Sequence, residues 1–202
     1  MPETCDGSEP LSPWRVGATA GWFDTEIVFD DDVAMSAATV MAQAAYQASP
    51  RLVVALGVGA VVDGSIGDGD IAPGPAGSLS LSWLALLETE RRPFALVGFS
   101  LAASRANAIS DDGDHHSLTS GDLRVGAMVG KTFGAFTAYA AARVFGGPVY
   151  WNLGGEETTG TDAHHYTIGA GLAVRPGRRF DLSIEAMPLG EQSATASATL
   201  VL

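Results

Sequence analysis

The chain has 202 residues, of which 47% are hydrophobic, and it carries a formal net charge of −12. That length suits one large domain, that apolar content excludes disorder, and that charge excludes nucleic acid as a partner, because phosphate binding needs a basic face. A single cysteine, Cys5, excludes an internal disulfide and a cysteine-rich metal site, and no run of about 18 apolar residues offers a membrane-crossing helix.

Residues 1–12 read as a loose tail with Cys5 a free thiol, and residues 13–202 as one domain. The opening MPETCDGSEP has neither the basic start nor the apolar stretch of a secretory signal, so export would rest on a leader outside this chain. From Trp14 onward apolar residues recur at every second position. Trp14, Val16, Ala18, Ala20 and Trp22 share one face, with Arg15, Gly17, Thr19 and Gly21 behind them. The stretch Ala34 to Gln47 is rich in alanine and glutamine and suits a helix as well as a strand. It reads as a strand because Val40, Ala42, Ala44 and Tyr46 alternate with Thr39, Met41, Gln43 and Gln47, and a tight turn leads to the next segment. In RLVVALGVGAVV, Leu52, Val54, Leu56 and Val58 stand opposite small residues that include Gly57 and Gly59. The same period of two continues through segments that begin near Ser78, Ala95, Leu123, Phe136, Tyr166, Phe180 and Ser193, and it holds to Leu202. Ten strands are expected, or eight if the Ala34 segment and its neighbour are not strands.

Short and long connections alternate along the chain. The short ones lie around Ser49-Pro50, Glu88 to Arg92, Thr132 to Gly134, and Pro176 to Arg179. Longer polar connections are expected over Asp24 to Val33, Asp63 to Gly77, Asn107 to Gly121 and Gly146 to His164, with a brief one near Gly190. Of the 23 acidic residues, 16 fall in these long connections or, as Asp122 does, directly beside one, whereas most of the basic residues lie toward the short turns. An up-and-down sheet places all the short turns at one end, so the molecule should have one acidic end and one basic end.

Segments of about ten residues match the strand length that crosses a bilayer when tilted. Behind the apolar faces stand glycine, serine, threonine and alanine, with one lysine in the whole chain. A soluble surface would be about a quarter charged or more. The large apolar face should therefore meet lipid and the small polar face should line the interior of a closed sheet, which leaves no backbone group unpaired. Trp14, Trp22, Tyr46, Trp83, Phe136, Tyr166 and Phe180 stand near strand ends, where aromatic girdles lie.

On these features the chain resembles small bacterial outer-membrane β-barrel proteins over almost its whole length. The resemblance implies an all-β fold, a closed antiparallel up-and-down transmembrane barrel in the bacterial outer membrane. It further implies a monomer in contact with outer-membrane lipid, with a role in the envelope, in surface interaction or in minor passive permeability, and with no cofactor. Members commonly end in a strand with a terminal aromatic; this chain ends ASATLVL, with Leu202 in that place. The alternative from another class is a soluble or periplasmic lipocalin-like barrel that binds an apolar ligand, with the same faces inverted.

By parity the interior should hold Arg15, Arg124, Arg143, Arg175, Asp181 and Glu185, with Arg175 and Asp181 paired across a turn. Met41, Leu84, Met128, Tyr139 and Met187 point the same way and would help to plug the lumen, whereas an open pore would use the charges as a selectivity ring. The stretch SDDGDHHS offers Asp111, Asp112, Asp114, His115 and His116 as a loop for a divalent cation or another extracellular ligand. Ten-stranded outer-membrane proteases of the omptin type use Asp and His at the barrel rim, which makes a hydrolase a further alternative, with His164 and His165 as candidates to complete such a site. A solvated acidic loop is the simpler reading. Asp30 to Asp32 and DGSIGDGD resemble calcium loops in composition only. GVG at 57–59 and GFSLA at 98–102 fail as nucleotide and nucleophile motifs, because strands run through both.

Overall fold

In a computed structural model of the chain, residues 12–109, 115–153 and 156–202 are described. They form strands β1 (Trp14–Val28), β2 (Asp32–Ser49), β3 (Leu52–Ile66), β4 (Gly69–Ala72), β5 (Gly74–Leu86), β6 (Phe94–Ile109) and β7 (His115–Phe133). The chain continues through β8 (Phe136–Gly146), β9 (Val149–Leu153), β10 (Glu156–Asp162), β11 (Tyr166–Val174), β12 (Phe180–Gly190) and β13 (Gln192–Val201). All pairings are antiparallel. Ten of these strands, β1, β2, β3, β5, β6, β7, β8, β11, β12 and β13, pair in that order, and β13 pairs back onto β1. The sheet is therefore a closed up-and-down barrel without an edge. The ambiguous Ala34 segment lies inside β2, and the count is ten.

The bulky apolar face points away from the barrel axis. Leu56 is 60% exposed and Val58 is 62% exposed, while Gly57 between them is buried. The aromatics mark two levels. Trp14, Tyr46, Trp83, Phe136 and Phe180 are exposed near the short turns, and Trp14 packs on Tyr46 with ring centroids 4.9 Å apart. Trp22 and Tyr166 are exposed toward the other end. The eight residue steps from Trp14 to Trp22 span about 26 Å of strand, or about 20 Å along the normal at a usual tilt, close to the height of a lipid-facing band. A lipocalin-like barrel needs its leucines and valines inside, and here they are outside.

Beyond Trp22 the expectation of long polar loops is corrected. The strands continue, and the chemistry of their faces inverts. On β1, Asp24 and Glu26 now point outward and are exposed, while Thr25 and Ile27 point inward and are buried. Above a membrane the outer wall is in water and the apolar side chains must turn inward, so the alternation keeps its period but loses the greasy outward stripe that makes a strand legible.

The wall also changes its membership. At this end β4 replaces β5 between β3 and β6, β9 pairs with β7, and β10 pairs with β9 and with β1. The β12–β13 hairpin stops lower, at Gly190. The result is a second closed ring of eight strands, β1, β2, β3, β4, β6, β7, β9 and β10, continuous with the ten below. Eight strands enclose just enough space for side chains to fill or for one small ligand. Ile27, Met35, Ile66, Ile71, Leu118 and Val149 belong to the buried cluster that fills it, and Phe29 packs against Trp151 beside it.

Candidate functional site

Inward positions of the strands bring the lumen charges together because successive same-face residues are two apart. Asp122 and Arg124 share one face of β7, and Glu191 arrives from the tip of the β12–β13 hairpin. Arg124 donates from both terminal nitrogens to the Glu191 carboxylate, at 2.7 and 2.9 Å, and from Nε to Asp122. Its guanidinium also lies 4.7 Å from the centre of the Phe145 ring. Glu191 is only 3% exposed, and the buried Thr167 hydroxyl donates to its backbone carbonyl at 2.9 Å. The turn that delivers Glu191 depends on Gly190, whose φ of +80° is a left-handed conformation and whose missing Cβ leaves space for the Tyr166 carbonyl.

Asp162 enters from β10, where that strand crosses above the hairpin to reach β1. Thr25 Oγ1 donates to it at 3.4 Å, a long contact. Burial and the neighbouring carboxylates of Glu191 and Asp122 push Asp162 up to about 6, against the pull of Arg124. Below this group Arg143 donates to Glu185, with Nη2 at 2.7 Å from one carboxylate oxygen and 2.9 Å from the other. Near the short turns Arg175 pairs with Asp181 at 2.5 and 3.1 Å in a more exposed setting, and Arg15 Nη2 reaches Gln47 at 3.3 Å.

Two cavities lie in the lumen. The upper one, of about 440 Å³, has an apolar wall that includes Ile27, Val61, Ile71 and Leu118. Its charged lining consists of Asp122, Arg124, Arg143, Asp162, Glu185 and Glu191. The lower one, of about 260 Å³, is lined by Ser80, Ser82, Ser100 and Met128 among others, and it shares Arg124 and Arg143 with the upper one. The arginine layer therefore stands between the two cavities, and the buried apolar cluster of the eight-stranded ring walls the upper one.

Arg15, Arg124, Arg143, Arg175, Asp181 and Glu185 occur in three places along this lumen rather than as one ring. By composition Asp122, Asp162 and Glu191 belong with the polar connections, and the structure places them on the inner wall. The i, i+2 parity with Arg124 could have found Asp122, and parity with Ser193 and Thr195 could have found Glu191. Asp162 carried no such signal. Asp111, Asp112 and Asp114 lie outside the described residues. His115 opens β7 opposite Ile109, and His116 is opposite Ala108. His165 lies beside Gly146, at the level of Leu123, and His164 packs near Tyr166. Seven residues of β7, about 23 Å, separate that level from His116, so the two histidine pairs do not meet. Among the described residues no three His, Cys, Asp or Glu side chains are grouped to hold a metal ion.

No protein-family model matches the chain, and no curated protein matches it in sequence. Solved structures are similar in fold. The outer-membrane protease OmpT from Escherichia coli aligns with a TM-score of 0.53 at 8% identity, over 96% of this chain and 99% of that one. The translocator domain of the autotransporter NalP from Neisseria meningitidis aligns with a TM-score of 0.51 at 12% identity, over 96% of this chain and 91% of that one. The chain has the fold of outer-membrane β-barrel proteins.

Proposed function

We propose that the chain resides as a monomer in a bacterial outer membrane. Its acidic eight-stranded end stands outside the cell, where it acts at the envelope surface and passes little solute. The observation that carries this reading is the inversion of the faces at Trp22, with hydrocarbon-facing side chains below it and Asp24 and Glu26 on the outer wall above it. Short turns face the periplasm in such barrels and the extended loops face outward, which sets the orientation. The lumen supports low permeability, because apolar packing fills the upper ring and the Arg124–Glu191 and Arg143–Glu185 pairs occupy the layer beneath.

A minor permeability role is the second reading, favoured by the serine-lined lower cavity. Both are tested with refolded protein. Folded barrel should migrate differently from boiled barrel on a gel and remain in the detergent phase, and planar bilayers should show at most rare, small current steps. A stable monomer in plain buffer contradicts membrane residence. Steady, large steps contradict the occluded lumen.

A further inference from the structure

The upper lumen cavity combines a sizeable space, an apolar wall and an imbalance of charge. Its lining carries four carboxylates, Asp122, Asp162, Glu185 and Glu191, against two guanidiniums, Arg124 and Arg143. Both guanidiniums are already engaged, Arg143 by Glu185 and Arg124 by Glu191 and Asp122. What remains unspent is acceptor capacity. Asp122 Oδ1 is buried with no hydrogen-bond partner among the described residues, and Asp162 has only the long Thr25 contact among its described hydrogen bonds. A buried carboxylate that lacks a counter-charge is costly, and the surplus here sits beside a wall of Ile27, Val61, Ile71 and Leu118.

We propose that this cavity is a binding site for a small organic cation: a primary ammonium attached to a compact apolar body. The ammonium donates to Asp162, with the negative charge of Asp122 beside it, and the hydrocarbon occupies the side walled by Ile27, Ile71 and Leu118. An anion is disfavoured because no guanidinium is free to receive it. A metal ion is disfavoured because, among the described residues, no three acidic or histidine side chains are placed to hold one together. A volume of about 440 Å³ lies in the range of small-molecule sites and suits a ligand rather than a single water. Asp162 also lies at a thinly paired junction of the wall: β10 is held to β1 by two residue pairs, Ile27 with Asp162 and Val28 with Thr161. Opening of that junction gives a ligand a route in. The inference goes beyond the role proposed above and holds whether or not the lumen conducts.

The test is calorimetric titration of the folded barrel in a zwitterionic detergent with hexylammonium, 1-hexanol and hexanoate, with protein-free micelles subtracted. Hexylammonium should bind to one saturable site, at least about tenfold more tightly than 1-hexanol, as charge-assisted hydrogen bonds imply. Hexanoate should not bind. Asp162→Asn should weaken hexylammonium by about tenfold and leave 1-hexanol unchanged. Ala106→Trp, which narrows the cavity without changing its charge, should weaken binding of both alike and keeps the test intact if the Asp162 variant misfolds. Equal binding of hexylammonium and 1-hexanol, indifference to both variants, or no saturable binding overturns the proposal.

Discussion

Glu191 and Asp162 are neighbours with opposite settings, and each makes a prediction. Glu191 is held by both nitrogens of Arg124, so Glu191→Gln leaves a buried guanidinium with Asp122 as its remaining anion. The amide oxygen still accepts one hydrogen bond, so the cost should be about 2 kcal/mol, below the ~3–5 kcal/mol of a wholly broken buried pair. Urea unfolding in lipid vesicles, followed by tryptophan fluorescence, reads it directly. Asp162 behaves in the reverse sense. Its folded value near 6 lies above the ordinary 3.8, because burial and like charge disfavour the ionised form. Ionising it therefore costs the fold. That penalty is absent below about pH 4, accumulates as pH rises toward 6, and is complete above that. Asp162→Asn removes it, so the variant should gain stability relative to the parent between pH 4 and pH 6 and hold that gain at pH 7. Parallel stability curves for the two proteins would refute this.

At the level of the strands, the membrane ring and the ring above it are separate packing units that share β1, β2, β3, β6 and β7. The upper unit depends on its apolar interior. Ile27 is 1% exposed at its centre, and Ile27→Ala should cost about 2–5 kcal/mol of local packing. The expected signature is faster hydrogen exchange at β4, β9 and β10, with the amides of β12 and β13 unchanged; uniform acceleration would mean that the two rings form one cooperative unit. This division also explains what was legible in the sequence. Where hydrocarbon lies outside, leucine and valine alternate with glycine and serine, and segments such as Leu52 to Val62 declare themselves. Above Trp22 the inward positions are apolar and the outward ones acidic, as in Phe23-Asp24-Thr25-Glu26-Ile27. Such a stretch has the composition of a loop, so β4, β9, β10 and the upper ends of β1, β3, β6 and β7 read as connections. The same error hid the charged cluster, because Asp122, Asp162 and Glu191 were counted with the loops when they are wall residues that face inward. Parity alone puts Arg124, Arg143 and Glu185 on the inward face but does not name their partners, since pairing depends on which strand lies opposite.

For the molecule as a whole, the account depends on one boundary. Below the level of Trp22 the outer wall belongs in hydrocarbon, and above it in water, with the interior chemistry exchanging in step. The acidic exterior of the upper ring and the basic short turns are consequences of that boundary, and Glu88 caps the latter end by accepting from the Thr132 backbone and hydroxyl at 2.9 and 2.8 Å. Spin labels test the boundary most directly, after Cys5→Ser removes the native thiol. Labels introduced by Val58→Cys and by Glu26→Cys are compared in lipid vesicles for collision with oxygen, which concentrates in hydrocarbon, and with a water-soluble nickel complex. The label at position 58 should collide with oxygen and escape nickel, and the label at position 26 should do the opposite. Nickel access at position 58, or protection from both agents there, would contradict the account.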